Sequence, residues 1–315
     1  MNLIPMFAST IETGDNALFR EASERDETHY GNSWYYIVQA AGGIGGKKPG
    51  LKYCEPDALM ALGLFERPTD GAECVHIVRP LGRGAIRKIP ELAQEMERKC
   101  KMPIYVKNIT AKQRDYLLGH GFSLVEPYPW NPHAAREDDT FPGQIIDIGQ
   151  TLGSLQRSTP LSRKYRKFLK YYDEPTHANL PDSAGDARAV VGNFFSGRRD
   201  VTSTPYDYRS MIEYPAYGEN GKDYFAYVLY VSGMPTGFVV ADRNGRESVG
   251  VYANMANYRD FPGMSEFLLL DLFERAASAG YKTAYLGGSE TQEVFRFKEK
   301  FQPVGYEDMH WVVRI

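Results

Sequence analysis

The sequence predicts an α/β fold built from two similar units, and three observations lead to this expectation. Each half repeats one succession of elements, in which strands are followed by a glycine-bearing loop, a helix, a strand, a second helix and a last strand. The length of 315 residues suits two domains of ordinary size. The composition, with 43% apolar and 24% charged residues, is typical of a folded globular chain.

The first half contains four predicted strands, one loop and two helices. In chain order they are the strands Trp34–Ala41 and Cys74–Pro80, the loop Leu81–Ala85, a helix near Ile86–Cys100, the strand Met102–Ile109, a helix from Ala111 and the strand Phe122–Pro129. The loop follows the central strand directly and opens the next helix. At such a turn, backbone N–H groups can contact an anionic cofactor or substrate.

The second half follows the same plan. Its elements are the strands Phe225–Val231, Thr236–Asp242 and Ser248–Ala253, the loop Arg259–Met264, a helix near Ser265–Ala279, the strand Lys282–Gly287, a helix from Thr291 and the closing strand His310–Ile315. The first of these helices is apolar on nearly every side and ends at Gly280. We expect it to lie between its own sheet and the other half.

A further amphipathic helix is predicted between the halves, with Thr159 as its N-cap and Pro160 at its first position. One face carries the apolar residues Leu161, Tyr165, Phe168, Leu169 and Tyr172. The opposite face carries the basic residues Arg163, Lys164, Arg166, Lys167 and Lys170. This basic face could bind phosphate groups, and it could equally be an ordinary solvated face.

The polar stretch Asn131–Gly143 has two prolines and no periodicity, and it marks the domain boundary. We therefore expect a first domain over residues 1–130, a linker over 131–142 and a second domain over 143–315. The glycine- and lysine-rich segment Gly42–Gly50 is expected to be a hairpin tip.

Charge and cysteine usage exclude several functional classes. The formal net charge of −3 argues against nucleic-acid binding driven by bulk charge, although it leaves a local basic groove possible. The sequence has no apolar run long enough to span a bilayer and no signal peptide, so we expect a cytoplasmic protein. Its three scattered cysteines form no CxxC pair, which argues against a disulfide framework and against a zinc site.

Four short motifs of the second half carry a family resemblance. They are Gly263–Met264–Ser265–Glu266–Phe267–Leu268, Gly280–Tyr281, Leu286–Gly287–Gly288–Ser289–Glu290 and Phe295–Arg296–Phe297–Lys298–Glu299–Lys300–Phe301. In this order and spacing they resemble the catalytic part of phosphatidylglycerol lysyltransferases and of Fem-type peptidyl transferases. Both groups use tandem copies of the fold of GCN5-related N-acetyltransferases (GNAT). The resemblance is strongest over Phe225–Ile315 and weaker over the first half.

The resemblance implies two tandem GNAT-like domains, each a mixed, mostly antiparallel sheet flanked by helices, with a degenerate first copy and a catalytic second one. It also implies N-acyl transfer, with an aminoacyl group taken from aminoacyl-tRNA. The matching lysine, Lys298, is expected to stabilise the oxyanion, and a solvated helix lysine is the alternative. Donor-binding residues are then expected at Gly263, Ser265, Gly287, Gly288, Ser289 and Phe297.

The residues themselves agree with this expectation without requiring it. Gly287 and Gly288 end a strand and would let a substrate approach closely, or they form a simple tight turn. The hydroxyl of Ser289 could cap the next helix. An acceptor amine must lose a proton, and the candidate bases are Asp242, Tyr252 and Glu290 near the central strand, with His310 on the last strand.

The two glycine loops leave the acyl donor open. Arg79, Gly82 and Gly84 match the Arg/Gln-x-x-Gly-x-Gly/Ala loop with which acetyl-CoA users hold a pyrophosphate. The second-half loop departs from this pattern, because Pro262 removes an N–H donor. We therefore favour aminoacyl-tRNA as donor and a soluble peptide, metabolite or nucleotide as acceptor. An acyl-CoA dependent transferase and a non-catalytic nucleotide- or RNA-binding module are the alternatives.

Overall fold

The computed structural model describes residues 8–26, 29–44, 49–66, 71–125, 141–172, 175–196, 208–213, 218–257, 259–289 and 291–315. In the N-terminal part, the strands are β1 Ser9–Thr10, β2 Leu51–Glu55, β3 Ala58–Glu66, β4 Glu73–Leu81, β5 Ile104–Ile109 and β6 Ser123–Leu124. The helices there are α1 Asn16–Arg25, α2 Trp34–Ala40, α3 Ala85–Cys100 and α4 Ala111–Leu118.

The C-terminal part is longer and contains more elements. Its strands are β7 Gly143–Asp147, β8 Thr176–Asn179, β9 Tyr224–Val231, β10 Met234–Arg243, β11 Ser248–Ala256, β12 Thr283–Tyr285, β13 Gly305–Glu307 and β14 His310–Arg314. Its helices are α5 Ile148–Ser154, α6 Pro160–Tyr171, α7 Ala184–Phe195, α8 Arg209–Glu213, α9 Met264–Ser278 and α10 Gln292–Glu299. No helix in the described ranges is long and apolar enough to cross a membrane.

Within the described residues, the strands form two seven-stranded sheets of matching topology. The first sheet has the order β1-β2-β3-β4-β5-β14-β6, and the second has the order β8-β9-β10-β11-β12-β7-β13. In each sheet the central pair, β4–β5 or β11–β12, is parallel, and every other neighbouring pair is antiparallel. The prediction of two similar units with mixed, mostly antiparallel sheets is therefore confirmed.

The sixth strand of each sheet departs from the chain order of its neighbours. After β6 the chain enters the second sheet, where β7 pairs with β12 and β13. After β13 the chain returns to the first sheet, where β14 lies between β5 and β6. The closing strand is thus correctly predicted as a strand, but its placement in the second unit was wrong. The domain limits at residues 130 and 143 stay a prediction, because residues 126–140 lie outside those described.

The segment predicted as the first strand is a helix instead. Its aromatic and β-branched residues favour a strand, but the Ser33 hydroxyl accepts a hydrogen bond from the Tyr36 N–H and begins α2. The Asp242 carboxylate accepts another hydrogen bond from the Trp34 N–H. These two hydrogen bonds, one local and one long-range, stabilise the helix more than its residues favour a strand. The predicted strand Phe122–Pro129 is reduced to β6, and its last residues lie outside the described ranges.

Helix α9 is buried as predicted, but its second partner is not the first half. It packs against β10 and β11 on one side and against α5 and α6 on the other. The rings of Phe168 and Phe267 stack with centroids 4.6 Å apart between α6 and α9. Thr159 caps α6 through the Ser162 N–H, and Pro160 is its first residue, as predicted. Of the predicted apolar stripe, Leu169 is exposed.

The two halves share one hydrophobic core. Buried residues of α1 and α2, including Phe19, Trp34 and Ile37, belong to the same apolar cluster as Val228 and Phe238 of the second sheet. Burial of this apolar surface stabilises both halves at once. Unfolding one half would therefore expose core surface of the other.

Substituting Val312 tests the placement of β14 in the first sheet. Val312 is fully buried in the core of the first sheet, so Val312→Asp would bury a carboxylate and lower the free energy of unfolding by about 4 kcal/mol or more. Urea unfolding followed by circular dichroism measures this loss. The control is Ile315→Asp, just after β14, where the side chain is 86% exposed and the expected change is within about 0.5 kcal/mol. Equal losses in the two variants would contradict the assignment.

Candidate functional site

A cavity of about 440 Å³ lies where the two central strands of the second sheet part. Strands β11 and β12 pair only from Ser248 to Gly250 on β11. Beyond that point the chain after β12 stays with β7, because the Leu286 N–H donates to the Gln144 carbonyl. The lining residues are Tyr30, Phe194, Phe195, Tyr208, Val251, Tyr252, Ala253, Asn254, Met255, Leu269, Leu286, Gly288, Glu293, Val294, Phe297 and Lys298.

Tyr252 is the extra residue of a β-bulge in β11. Ala253 pairs with Val240 and Val251 pairs with Ala241, which leaves Tyr252 without an opposite residue on β10. Bulges occur often beside active sites, where they redirect a side chain. The Tyr252 ring lies 6.2 Å, centroid to centroid, from the rings of both Tyr36 and Tyr208.

Lys298 lines the cavity from α10 and is held at the end of β12. Its Nζ donates to the carbonyl of Gly287 at 3.0 Å and to that of Gly288 at 2.5 Å. Gly288 and Phe297 line the same cavity. The structure thus brings four sequence-predicted residues, Tyr252, Gly288, Phe297 and Lys298, to one cavity wall.

Gly287 contacts a tyrosine of the first half and not the cavity. Its φ is +62°, and a Cβ at this position would lie 2.7 Å from Cζ of Tyr30. The backbone N–H of Tyr30 donates to Oε2 of Glu307 at 3.0 Å, which anchors the tyrosine beside β13. Gly287 is therefore required for the close approach of Tyr30, and Tyr30 itself lines the cavity.

Ser289 does not cap the following helix, which corrects the prediction. The N-cap of α10 is Thr291, whose hydroxyl accepts from the Val294 N–H at 3.3 Å. Ser289 is fully buried, and its hydroxyl has no hydrogen-bond partner among the described residues. Its N–H donates to the Phe141 carbonyl at 3.1 Å, so the backbone continues along the β7 side.

The predicted donor residues at the start of α9 lie behind the cavity. Gly263, with φ +94°, is the N-cap of α9, and a Cβ there would contact Phe168 of α6 at 3.6 Å. The carbonyl of Ser265 accepts a hydrogen bond from Nδ2 of Asn254 at 3.3 Å. Asn254 lines the cavity, so Ser265 supports a lining residue, whereas Gly263 packs against α6.

Two of the four basic residues proposed for phosphate binding make hydrogen bonds within the chain. Lys164 donates to the buried Glu266 carboxylate at 2.8 Å, as Lys300 does from α10. Burial raises the pKa of Glu266, but these two hydrogen bonds outweigh it and hold the pKa below its ordinary value. Arg166 donates to the carbonyl of Arg157 at 3.0 Å.

The other two, Arg163 and Lys167, are exposed on α6. Lys167 lies over the ring of Tyr171, with Nζ 5.8 Å from the ring centroid.

In the first half, the loop between β4 and α3 is covered by a turn of the same sheet. The Gly84 N–H donates to the Asp57 carbonyl at 2.9 Å, and a Cβ on Gly82 would lie 2.6 Å from the same oxygen. Arg79 is only 1% exposed and donates through Nε to Asn32 Oδ1 at 2.7 Å. The turn between β2 and β3 therefore occupies the place where a phosphate would meet these N–H groups.

The candidate bases are scattered. Asp242 is buried away from the cavity lining and accepts hydrogen bonds from Ser33 Oγ at 2.5 Å and from the Trp34 N–H at 2.7 Å. His310 lies on β14 in the first sheet, beside Arg114. Glu290 lies outside the described residues. Tyr252 alone of the four is a described lining residue, and Asp242 and His310 lie away from this cavity.

The sequence analysis missed the lining residues that come from distant segments. These are Tyr30 from the N-terminal part, Phe194 and Phe195 at the end of α7, Tyr208 before α8, and Asn254 and Glu293. Aromatic residues are common in cores, so their pattern carries no local signal for a cavity. Within the described ranges, no three His, Cys, Asp or Glu side chains are grouped as a metal site would require.

Several solved structures are similar to this chain over nearly its whole length. A conserved protein from Bacteroides thetaiotaomicron aligns with a TM-score of 0.74 at 13% identity, over 98% of this chain and 99% of its own. L-PGS from Bacillus licheniformis aligns with a TM-score of 0.65 at 14% identity, over 97% of this chain and 93% of its own. FemX aligns with a TM-score of 0.64 at 12% identity, over 98% of this chain and 97% of its own. The chain has the fold of these proteins.

This result confirms the resemblance in fold to the tandem GNAT branch that the motifs of the second half indicated. Identities of this size show a shared fold alone. No family profile and no curated protein matches the sequence.

Substituting Gly287 tests the contact with Tyr30. Gly287→Ala places a Cβ against the ring, so we expect it to lower the free energy of unfolding by about 1–3 kcal/mol more than a positive φ alone would. The matched control is Gly280→Ala, which has φ +93° and no atom within 4 Å of the added Cβ. Urea unfolding compares the two variants. Equal losses would show that the Tyr30 contact imposes no constraint.

Asp242 makes stability depend on pH. Burial raises its pKa from 3.8 to about 7, against the opposing hydrogen bonds from Ser33 and Trp34. Between pH 3.8 and about 7 the Asp242 carboxyl keeps its proton in the folded chain and releases it in the unfolded chain. Its contribution to the free energy of unfolding is therefore present at low pH and is lost as the pH rises towards 7.

Relative to wild type, Asp242→Asn should gain stability as the pH rises from 5 to 7, by at most about 1.4 kcal/mol per pH unit. Urea unfolding at both pH values measures it, with exposed Asp182→Asn as control. If the difference in unfolding free energy between wild type and Asp242→Asn stays constant with pH, this prediction is contradicted.

Proposed function

We propose that this chain is an acyltransferase that moves an aminoacyl group from aminoacyl-tRNA to a soluble amine or hydroxyl acceptor. One observation carries the proposal. The ammonium of Lys298 is fixed by two backbone carbonyls at the wall of a cavity between diverging strands. A cation held in this way can act on a substrate without rearranging.

The chemistry follows from this geometry. The acceptor attacks the carbonyl carbon of the aminoacyl ester, and the carbonyl oxygen becomes an oxyanion in the tetrahedral intermediate. Lys298 stabilises that charge in a mostly apolar cavity, where electrostatic interactions are stronger than in water. The ester C–O bond then breaks, and the released ribose hydroxyl takes up a proton. Tyr252, or a water molecule beside it, relays this proton: its O–H group accepts the proton that the acceptor amine loses and donates its own to the ribose oxygen.

The closed loops favour an ester donor over a coenzyme A thioester. A pyrophosphate needs free N–H groups at a helix N-terminus. In the first half, the Gly84 N–H is bonded to Asp57. In the second half, Gly263 packs against α6 and Pro262 has no N–H. No observation at either loop favours the acyl-CoA alternative.

Asn254 supports a substrate that carries an amine. Its Nδ2 is bonded to the Ser265 carbonyl, and its buried Oδ1 has no hydrogen-bond partner among the described residues. A buried acceptor left unpaired costs about 1–3 kcal/mol. An N–H of the aminoacyl group or of the acceptor would satisfy it.

The exposed basic residues Arg163 and Lys167 are proposed to contact tRNA phosphates. They lie on α6, which packs along α9, and α9 contributes Leu269 to the cavity lining. Such contacts would make binding depend strongly on salt. The likeness in fold to FemX and L-PGS supports the same donor, because the second-half motifs resemble the branch that uses aminoacyl-tRNA. A cytoplasmic location remains a prediction of the sequence.

Substituting Lys298 tests the proposal. The assay mixes the protein with tRNA charged with labelled amino acids and with a cell-free extract as acceptor pool, and counts label that has left the tRNA. Lys298→Ala should lower this transfer about 10²- to 10³-fold, as expected for loss of an oxyanion-stabilising group. Arg296→Ala, an exposed basic residue on the same helix, is the control and should retain full activity.

Two outcomes would contradict the proposal. Transfer from labelled acetyl-CoA, with none from charged tRNA, would establish the acyl-CoA alternative. Specific binding of RNA or nucleotide without any transfer, unaffected by Lys298→Ala, would establish a non-catalytic binding module.

A further inference from the structure

We infer that the aminoacyl group bound in this cavity has a bulky apolar side chain, preferably an aromatic one. The inference rests on the proposed function and concerns the same cavity. Among the residues that the structure describes, six aromatic ones line it: Tyr30, Phe194, Phe195, Tyr208, Tyr252 and Phe297.

Four of these rings form a connected set that begins beside Gly287, whose carbonyl Lys298 contacts. Tyr36, which lies outside the lining, connects Tyr30 to Tyr252. Tyr30, which contacts Gly287, lies 5.5 Å from Tyr36, and Tyr36 lies 6.2 Å from Tyr252, measured between ring centroids. Tyr252 is 6.2 Å from Tyr208, and Tyr208 is 5.7 Å from Phe195. A group attached to a carbonyl beside Lys298 would therefore lie along aromatic surface as far as the end of α7.

The rest of the apolar lining is mostly aliphatic and includes Val251, Leu269, Leu286 and Val294. An apolar side chain of the size of leucine or phenylalanine that enters this cavity removes much of its surface from water, which favours its binding. An alanyl or seryl group has too little surface to gain this energy.

The charges of the cavity disfavour a cationic side chain. Of the described lining residues, only Glu293 and Lys298 are charged, and Glu293 is exposed. A lysyl side chain would lose its hydration between aromatic and aliphatic walls, with no buried carboxylate among those residues to compensate. Lys298 would also repel it.

Binding of charged RNA minihelices of one sequence tests this inference without knowledge of the acceptor. The minihelices carry phenylalanine, leucine, alanine, serine or lysine through a stable 3′-amide bond, and an uncharged one serves as reference. We expect the phenylalanyl and leucyl forms to bind the full-length protein about 10- to 100-fold more tightly than the alanyl form. The lysyl form should bind no better than the alanyl form.

A variant pair assigns the effect to the cavity. Phe195→Ala should weaken binding of the phenylalanyl form and leave that of the alanyl form unchanged. Phe195→Leu, which keeps more of the packing, should lie between wild type and Phe195→Ala. Tyr306→Ala, whose side chain is exposed on β13 outside the cavity lining, is the control and should change neither.

The outcomes separate the two levels of the argument. If the alanyl, seryl or lysyl form binds as tightly as the phenylalanyl form and all bind more tightly than uncharged RNA, this inference is overturned and the proposed function stands. If no charged form binds more tightly than uncharged RNA, the proposed function fails, and this inference fails with it.

Discussion

Backbone hydrogen bonding by the closing strand β14 ties the C-terminal end of this chain to its first sheet. A β-strand leaves a row of N–H and C=O groups at its edge that must be paired or solvated. Here β14 supplies the pairing for β5 in the first sheet, and β7 supplies it for β12 in the second. Because β14 is the last strand of the chain, the first sheet is incomplete without the C-terminal end, whereas the described strands of the second sheet all follow the predicted linker. The shared core around Phe19, Trp34 and Phe238 also joins the two halves.

Pairing with β7 opens the cavity. Strand β7 bonds β12 and then the segment after it, where the Leu286 and Ser289 N–H groups donate to the Gln144 and Phe141 carbonyls. The segment is thereby drawn away from β11, which bulges at Tyr252 just where its partner leaves. Asp242 fixes the start of α2 on the second sheet, and Tyr30 and Tyr36 approach the cavity from that region. The cavity is thus a product of both halves.

Duplication of the fold has not produced two equivalent sites. Both central strands carry an irregularity at the same place, near Arg79 in β4 and at Tyr252 in β11. In the first half, Arg79 turns into the interior and binds Asn32, and Asp57 closes the loop. In the second half, Tyr252 faces a cavity that Lys298 also lines. The first half therefore contributes walls and support, and the chemistry is proposed for the second.

The sequence by itself determined the duplicated α/β plan, most elements of the second half and the short-range cluster of Gly288, Phe297 and Lys298. Periodicity, caps and a motif confined to about a dozen residues are local properties, and they can be read from the order of residues. The tertiary structure alone decided that Trp34–Ala40 is a helix, that β14 joins the first sheet and that Tyr36 and Tyr208 meet Tyr252. Each of these depends on partners far away in the chain, such as the Asp242 carboxylate at α2. Local propensity cannot predict a contact whose energy comes from a residue two hundred positions away.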